Sequence, residues 1–344
     1  MIVLFKKVTQ MAISILICDD SALARKQLAR VIPQSWGANI QFAMHGWDAI
    51  NQLESSSFDL LFLDLTMPEL DGYGTLDEIN SRHIKTQVIV VSGDIQPKAQ
   101  EKVLALGARA FIKKPVDKAT LLSTLKSLNI TPERPQSYVP VQVNNAQLRR
   151  RDVYLEVANV AIGRAADSLA RHFDVFVNMP LPNVNLFEMS ELQMTLRHLA
   201  SNEHMSGVCQ GFSGEGIAGE ALVLLSDSSV SDLTKLMDYP ETDSDSLELE
   251  LLMDVSNILV GAFLKGIGEQ AEVRFFQSAP VLLGQHVSVD SVVESTKGTF
   301  NKIMSFEVSY NIDGTDIKCD MLLMIVDESL PILDNKLAYL LDDE

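Results

Sequence analysis

The chain has 344 residues, 47% of them hydrophobic and 22% charged, which is enough for about two globular domains. Its formal charge of −18 is lopsided: residues 1–130 carry 14 basic and 13 acidic side chains, a net +1, whereas residues 131–344 carry 14 and 33, a net −19. A second half this acidic repels phosphate backbones, which argues against nucleic-acid binding and against a DNA-binding transcription factor.

No run of eighteen apolar residues marks a membrane span. The apolar start, Met1 to Phe5, precedes Lys6 and Lys7, the wrong order for a secretory signal. Residues 1–12 therefore read as an N-terminal extension, with Met11 a second candidate start. Cys18, Cys209 and Cys319 are far apart and form neither a disulfide framework nor a zinc spacing, which fits a reducing, cytoplasmic setting.

Residues 13–18 are an apolar run that ends in Asp19 and Asp20, and Ser21 is placed to cap a helix through Ile32. A short strand at 40–43 and a helix at 46–53 follow. Leu60, Leu61, Phe62 and Leu63 make a buried strand ending at Asp64, followed by turn chemistry at Pro68 and Gly72. A helix at 73–80 leads to a fourth strand, 88–91, which ends at Ser92, Gly93 and Asp94. A helix at 98–106 stops at Gly107. The fifth strand, 110–112, runs into Lys113, Lys114 and Pro115, and Asp117 caps a last helix to Leu128. Five alternations of strand and helix predict an α/β fold, a doubly wound five-stranded parallel sheet covered on both faces.

The strand ends carry the chemistry. Asp19, Asp20 and Asp64 would converge at one sheet edge, where sites form in open α/β sheets. Unpaired, the three carboxylates would repel one another; a hard divalent cation relieves this, and Mg²⁺ suits so small a set of oxygen ligands. Ser92 and Lys114 at the neighbouring strand ends suit a phosphoryl group carried by one carboxylate. These residues resemble the CheY-like receiver domains of two-component response regulators over residues 13–128. The resemblance implies that Asp64 is the phosphoacceptor and that Asp19, Asp20, Asp64 and the backbone carbonyl of Thr66 hold Mg²⁺. It implies that Ser92, Phe111 and Lys114 sense the phosphate, ahead of a cis Pro115, and that a CheA-like histidine kinase is the phosphodonor.

Residues 129–147, with Pro132, Pro135 and Pro140, read as a linker. Beyond it, 148–344 read as two versions of one unit. A long helix at 147–173 returns at 247–267, with Asp152, Glu156 and Asn159 recurring as Glu250, Asp254 and Asn257. Pro182 follows Asn159 at the spacing by which Pro280 follows Asn257. A second helix is expected at 189–201. Each version ends in a hairpin, around residues 213–216 in the first and Asp313-Gly314 in the second. Leu222 to Asp227 echoes Leu322 to Asp327, and a final helix is expected at 331–341. The pattern predicts a pseudo-twofold α/β domain with antiparallel hairpins, from an internal duplication. A buried Asn is costly without partners, so Asn159 is expected on the exposed face of its helix.

The acid, the acid three residues before Asn, the Asn and the later proline resemble the signature of the CheC/FliY/CheX family of CheY-phosphate phosphatases. The first repeat fits throughout. In the second, Asp254 is one methylene shorter than the family's Glu, which implies a degenerate site. The resemblance implies that Asn159 aligns a water for attack on a receiver acyl phosphate and that Glu156 pairs with the receiver lysine. The expected function is a chemotaxis response regulator, phosphorylated on Asp64, that hydrolyses its own or a separate CheY's aspartyl phosphate. The alternative is a non-catalytic interaction module that binds chemotaxis partners. Both readings leave room for a homo-oligomer.

Overall fold

The computed structural model describes residues 13–130, 150–188, 205–238, 245–287 and 302–341. The N-terminal extension, most of the linker and the helix expected at 189–201 lie outside the described residues.

Five parallel strands form the first sheet: β1 (Ser14–Cys18), β2 (Asn39–Ala43), β3 (Leu60–Leu63), β4 (Gln87–Ser92) and β5 (Ala110–Lys113). Their order is β2-β1-β3-β4-β5. Alternation along each strand feeds two cores. Leu16, Leu61, Leu63 and Val90 face one side with Ile50, Leu53, Leu76 and Ile79 from α2 (Gly46–Ser55) and α3 (Gly72–Ser81). Ile15, Ile17, Phe62 and Ile89 face the other with Leu28 of α1 (Ala22–Val31) and Leu121 and Leu125 of α5 (Lys118–Ser127). This is the doubly wound sheet expected from the sequence.

Side-chain caps fix the helix starts close to the strand ends. Ser21 Oγ accepts from Ala24 N at 3.1 Å, Asp71 Oδ1 from Gly74 N at 2.7 Å and Asp117 Oδ1 from Thr120 N at 2.8 Å. Gly107, at φ 96°, ends α4 (Pro97–Ala105) in a conformation that favours glycine. The Lys114–Pro115 peptide is cis, as the resemblance implied.

Among the described residues, the second sheet has eight strands. Its main path runs β10 (Phe276–Gln277), β8 (Met205–Gly214), β9 (Ile217–Ser226), β13 (Lys318–Val326), β12 (Lys302–Ile312), β6 (Val177–Asn178). β11 (Val281–Val287) pairs with β8, and β7 (Asn183–Glu188) pairs with β12. The order reads alike from both ends once the first-repeat strands are exchanged for their counterparts. At its centre Leu222 pairs with Leu322, each the other's counterpart in the sequence echo. The pseudo-twofold axis therefore passes between them.

Equivalent contacts confirm the relation. Ser229 Oγ accepts from Lys318 N at 3.0 Å, and Ser329 Oγ accepts from Ala218 N at 2.9 Å. The long helices α6 (Arg150–Phe173) and α8 (Asp245–Ala271) pack side by side, so close that a Cβ on Gly266 would stand 2.6 Å from Ala161 Cα. Both end in a left-handed residue, Asp174 at φ 52° and Glu272 at φ 51°. Residues 248–271 of α8 are long and apolar enough to cross a membrane, but 61% of their most apolar stretch is buried in the fold, as befits a core helix. The sequence-expected last helix is α9 (Leu330–Lys336) followed by a short 3-10 turn at Ala338–Leu340; α7 (Val230–Leu236) is its first-repeat counterpart.

By internal contacts the chain divides into two compact units. Among the described residues, one holds 13–92 and 103–130, and the other holds Gly93–Lys102 together with those from 150 to 341.

Candidate functional site

Asp19, Asp20 and Asp64 offer carboxylate oxygens that all lie within 4.8 Å of one another. Each sits where its strand ends: Asp19 and Asp20 after β1, Asp64 after β3. Asp64 is 3% exposed. Its Oδ2 accepts from Thr66 N at 3.0 Å, and Asp19 Oδ1 accepts from Ser21 N at 2.9 Å. Lys114, itself buried, places Nζ 2.8 Å from Asp19 Oδ2 and 3.2 Å from Asp64 Oδ1. The Arg25 guanidinium donates to the backbone carbonyls of Asp19 and Asp20. Gly72 packs so tightly on the backbone that a Cβ there would overlap the Asp64 carbonyl. One lysine cannot neutralise three carboxylates. An all-oxygen donor set this small and this charged fits a hard divalent cation such as Mg²⁺.

Ser92 ends β4 and is buried, and Phe111 on β5 packs partly buried against the sheet core. Asp19, Asp20, Asp64, Ser92 and Lys114 thus lie at the carboxyl edge of this sheet, and Phe111 lies two residues before the end of β5.

In the second unit, α6 carries Glu156 and Asn159, with Gly163 one turn further on. Both polar side chains are buried, 5% and 7% exposed, which overturns the expectation of a solvated face. Within the same unit, the segment Gly93–Lys102 packs on the backbone of this helix. A Cβ on Gly93 would stand 2.9 Å from Asn159 O, and one on Gly163 would overlap the Gly93 carbonyl. Gln96 donates from Nε2 to Val177 O at 2.8 Å and accepts from Val177 N at 2.9 Å, like an added strand residue. Lys98 Nζ donates to Asp174 O at 2.8 Å, and Lys102 lies over the Phe176 ring at 5.6 Å. Asn159 Oδ1 is buried and accepts no hydrogen bond from any described residue.

The second repeat differs. Asn257 is exposed and Asp254 half-buried. Gln210, on β8, donates from Nε2 both to Ser278 O at 2.8 Å and to Asn257 Oδ1 at 2.9 Å. A backbone carbonyl can only accept, so it fixes which end of Gln210 is the amide nitrogen, and hence that Asn257 presents its oxygen to it. The acceptor left open in Asn159 is therefore engaged in Asn257. The hairpin register places Val308 of the second repeat where Gln210 stands in the first, so Asn159 has no counterpart of the amide that Asn257 meets. No motif flagged Gln210; its signal was only a polar residue amid an apolar strand.

Residues 15–126 match the family described as response regulator receiver domain. The chain carries a CheY-like receiver domain. It is 33% identical over 177 residues to a protein-glutamate methylesterase/protein-glutamine glutaminase of Rhodospirillum rubrum, covering 51% of this chain and 45% of that one. It is 28% identical over 116 residues to chemotaxis protein CheY of Treponema pallidum, covering 33% of this chain and 81% of the relative. The chain spans less than half the length of the methylesterase relatives it matches. Among solved structures it resembles a CheX-CheY-BeF3-Mg complex of Borrelia burgdorferi, at 32% identity over 35% of this chain and 90% of that one, with a TM-score of 0.33. It also resembles FliY of Thermotoga maritima, at 18% identity over 56% of this chain and 98% of that one, with a TM-score of 0.44.

Asp94, two residues beyond the receiver's Ser92, gives the Gly93–Lys102 packing a pH dependence. Burial pushes its carboxyl up to about 6; hydrogen bonds donated by Gln96 N and Nε2 pull it down, and nearby Asp167 adds to the rise. The packed form holds its proton more tightly, so stability is fullest below the ordinary carboxylate range and is lost as pH rises through about 6. Asp94→Asn should therefore stabilise the protein at pH 7.5 by about 2 kcal/mol. Urea unfolding should show that gain shrinking towards zero at pH 4.5.

Proposed function

We propose that this protein is a chemotaxis response regulator whose receiver is phosphorylated on Asp64 by a CheA-like histidine kinase. Its second unit hydrolyses receiver aspartyl phosphate, in the manner of CheC-like phosphatases and in the cytoplasm. In the receiver, Asp19, Asp20, Asp64 and the Thr66 carbonyl would hold Mg²⁺, which when bound screens charge on the transferring phosphoryl group. The Asp64 carboxylate attacks phosphorus, and the donor's leaving group departs. Lys114 pairs with the phosphoryl oxygens, and the Ser92 hydroxyl and Phe111 respond to them.

A receiver acyl phosphate lacks only a well-placed attacking water. Asn159 supplies its orientation: Oδ1 accepts a hydrogen bond from the water and leaves an oxygen lone pair aimed in line at phosphorus, so that the water–phosphorus bond forms as the bond to the aspartyl oxygen breaks and the water's proton leaves with the inorganic phosphate. Glu156 anchors the helix on a receiver lysine. The observation that carries the reading is the buried, unengaged Asn159 Oδ1, on a helix face packed against Gly93, the residue next to Ser92 in sequence. The target is the chain's own Asp64 or the same group on a separate CheY. The Asp254/Asn257 site is silent, because Gln210 holds the Asn257 oxygen and Asp254 is short.

Steady-state phosphate release from acetyl phosphate and Mg²⁺ tests this. Asp64→Asn and Asn159→Ala should each lower turnover by about 10²-fold or more, roughly 2.7 kcal/mol, while Asn257→Ala leaves it unchanged. Equal turnover in Asn159→Ala and wild type would remove the enzymatic reading and leave a binding module.

A further inference from the structure

Two of the three pocket acids sit on a stretch of main chain that a single side chain holds. The first acceptor of the α1 ladder is Ser21 O, which receives Arg25 N at 3.1 Å. The carbonyls of Asp20 and Asp19 stand one and two residues ahead of it, outside the ladder, where a peptide oxygen takes its donor from elsewhere. The Arg25 side chain, part-buried, reaches back along the helix to supply one. Its Nη1 donates to both oxygens, to Asp20 O at 3.1 Å and to Asp19 O. The two peptide groups from which these acids project are thereby tied to one point on α1.

The other contacts of the pocket are of the same kind. Asp19 N donates to Ala43 O at 3.2 Å and Asp64 N to Cys18 O at 2.9 Å, so both residues are fixed to neighbouring strands. Their carboxylates are held by Ser21 N, Thr66 N and Lys114. Asp20 lies past the end of β1 and just before the cap of α1, and the Arg25 bridge ties its carbonyl to regular structure.

A frame this fixed distinguishes ions of equal charge. Mg²⁺ demands near-octahedral oxygens at about 2.0–2.1 Å, whereas Ca²⁺ accepts about six to eight at roughly 2.3–2.6 Å in a flexible arrangement. Acids whose oxygens all lie within 4.8 Å of one another suit the smaller ion. Acids on a loosened loop can spread to the larger one. The charge of Arg25 cannot make this distinction, because a fixed positive charge opposes both ions alike.

We propose that Arg25 is a positioning residue that sets the cation selectivity of the receiver pocket, by locking the Asp19–Asp20 main chain at the spacing Mg²⁺ requires. A guanidinium has no lone pair to offer a metal, so Arg25 acts through the peptide oxygens it bridges. The proposal rests on the assignment of Mg²⁺ to Asp19, Asp20 and Asp64, and is independent of hydrolysis by the second unit.

The test is electron paramagnetic resonance of free Mn²⁺ over the full-length protein, with Mg²⁺ and Ca²⁺ as competitors that yield a dissociation constant for each. Wild type should prefer Mg²⁺. In Arg25→Gln that preference should fall about tenfold, chiefly through lost Mg²⁺ affinity. Arg25→Lys keeps the charge and an N–H donor and should recover most of the preference. Urea unfolding of the same samples verifies that each variant is folded. Equal changes in both affinities in Arg25→Gln, an unchanged preference, or a preference as low in Arg25→Lys as in Arg25→Gln would overturn the proposal. Asp20→Asn should lose the tightest Mn²⁺ site. Its retention would remove the Mg²⁺ assignment and the proposal with it, whereas its loss with an unchanged preference in Arg25→Gln would overturn the proposal alone.

Discussion

Asp64→Asn should give a folded protein that takes up no acid-labile phosphoryl group from acetyl phosphate and Mg²⁺. Asparagine keeps the shape of the side chain, and its oxygen can still accept from Thr66 N. Lys114 loses one partner but keeps Asp19 at 2.8 Å, so no buried cation is left unpaired. The structural cost is therefore about 1 kcal/mol, well below that of breaking an isolated buried pair. The chemical cost is complete, because an amide lacks the anionic oxygen that forms the bond to phosphorus. Intact-mass measurement after phosphodonor treatment reads both: wild type gains one phosphoryl group and the variant none. Persistent labelling would move the acceptor to Asp19 or Asp20.

Gly163→Leu should free the segment Gly93–Lys102 while leaving the two sheets intact. Helix α6 meets Gly93 with backbone against backbone, and any Cβ at position 163 overlaps the Gly93 carbonyl. Neither partner is the flexible end of a side chain, so the overlap can be relieved only by separation, at a cost of about 1–3 kcal/mol or more. Gln96 would give up both bonds to Val177, and Lys98 its bond to Asp174. Amide exchange in residues 93–102 should rise about 10- to 100-fold, with protection of β9 and β13 unchanged. Gly261→Leu, where a Cβ would meet no backbone and only the end of the Gln277 side chain, should leave exchange in that segment as in wild type.

The receiver was legible because its chemistry sits on the strand ends. Apolar runs at β1, β3 and β4 fixed the strands, and the residues that stop them are the ones that function. The duplication was equally legible, since the Leu222 and Leu322 echo is the pairing at the centre of the second sheet. Burial of Asn159 was not legible. Sequence periodicity puts it beside Glu156 on one helix face but carries no sign that residues 93–102, distant in sequence, pack on the same helix. Strands β6, β7, β10 and β11 were missed because β6 and β10 are two residues long and the others are edge strands without clean alternation. Gln210 was missed because its role depends on Ser278 and Asn257, brought to it by the fold.

The measurement closest to the central claim is the lifetime of the phosphoryl group on the full-length protein. The protein is phosphorylated with acetyl phosphate and Mg²⁺, the donor is removed and phosphate loss is timed at several protein concentrations for wild type, Asn159→Ala and Asn257→Ala. Asn159→Ala should hold its phosphoryl group about 10²-fold longer than wild type, and Asn257→Ala should decay as wild type does. Independence of concentration would assign the hydrolysis to the chain's own Asp64. Identical decay of all three proteins would contradict hydrolysis of the chain's own phosphoryl group by Asn159.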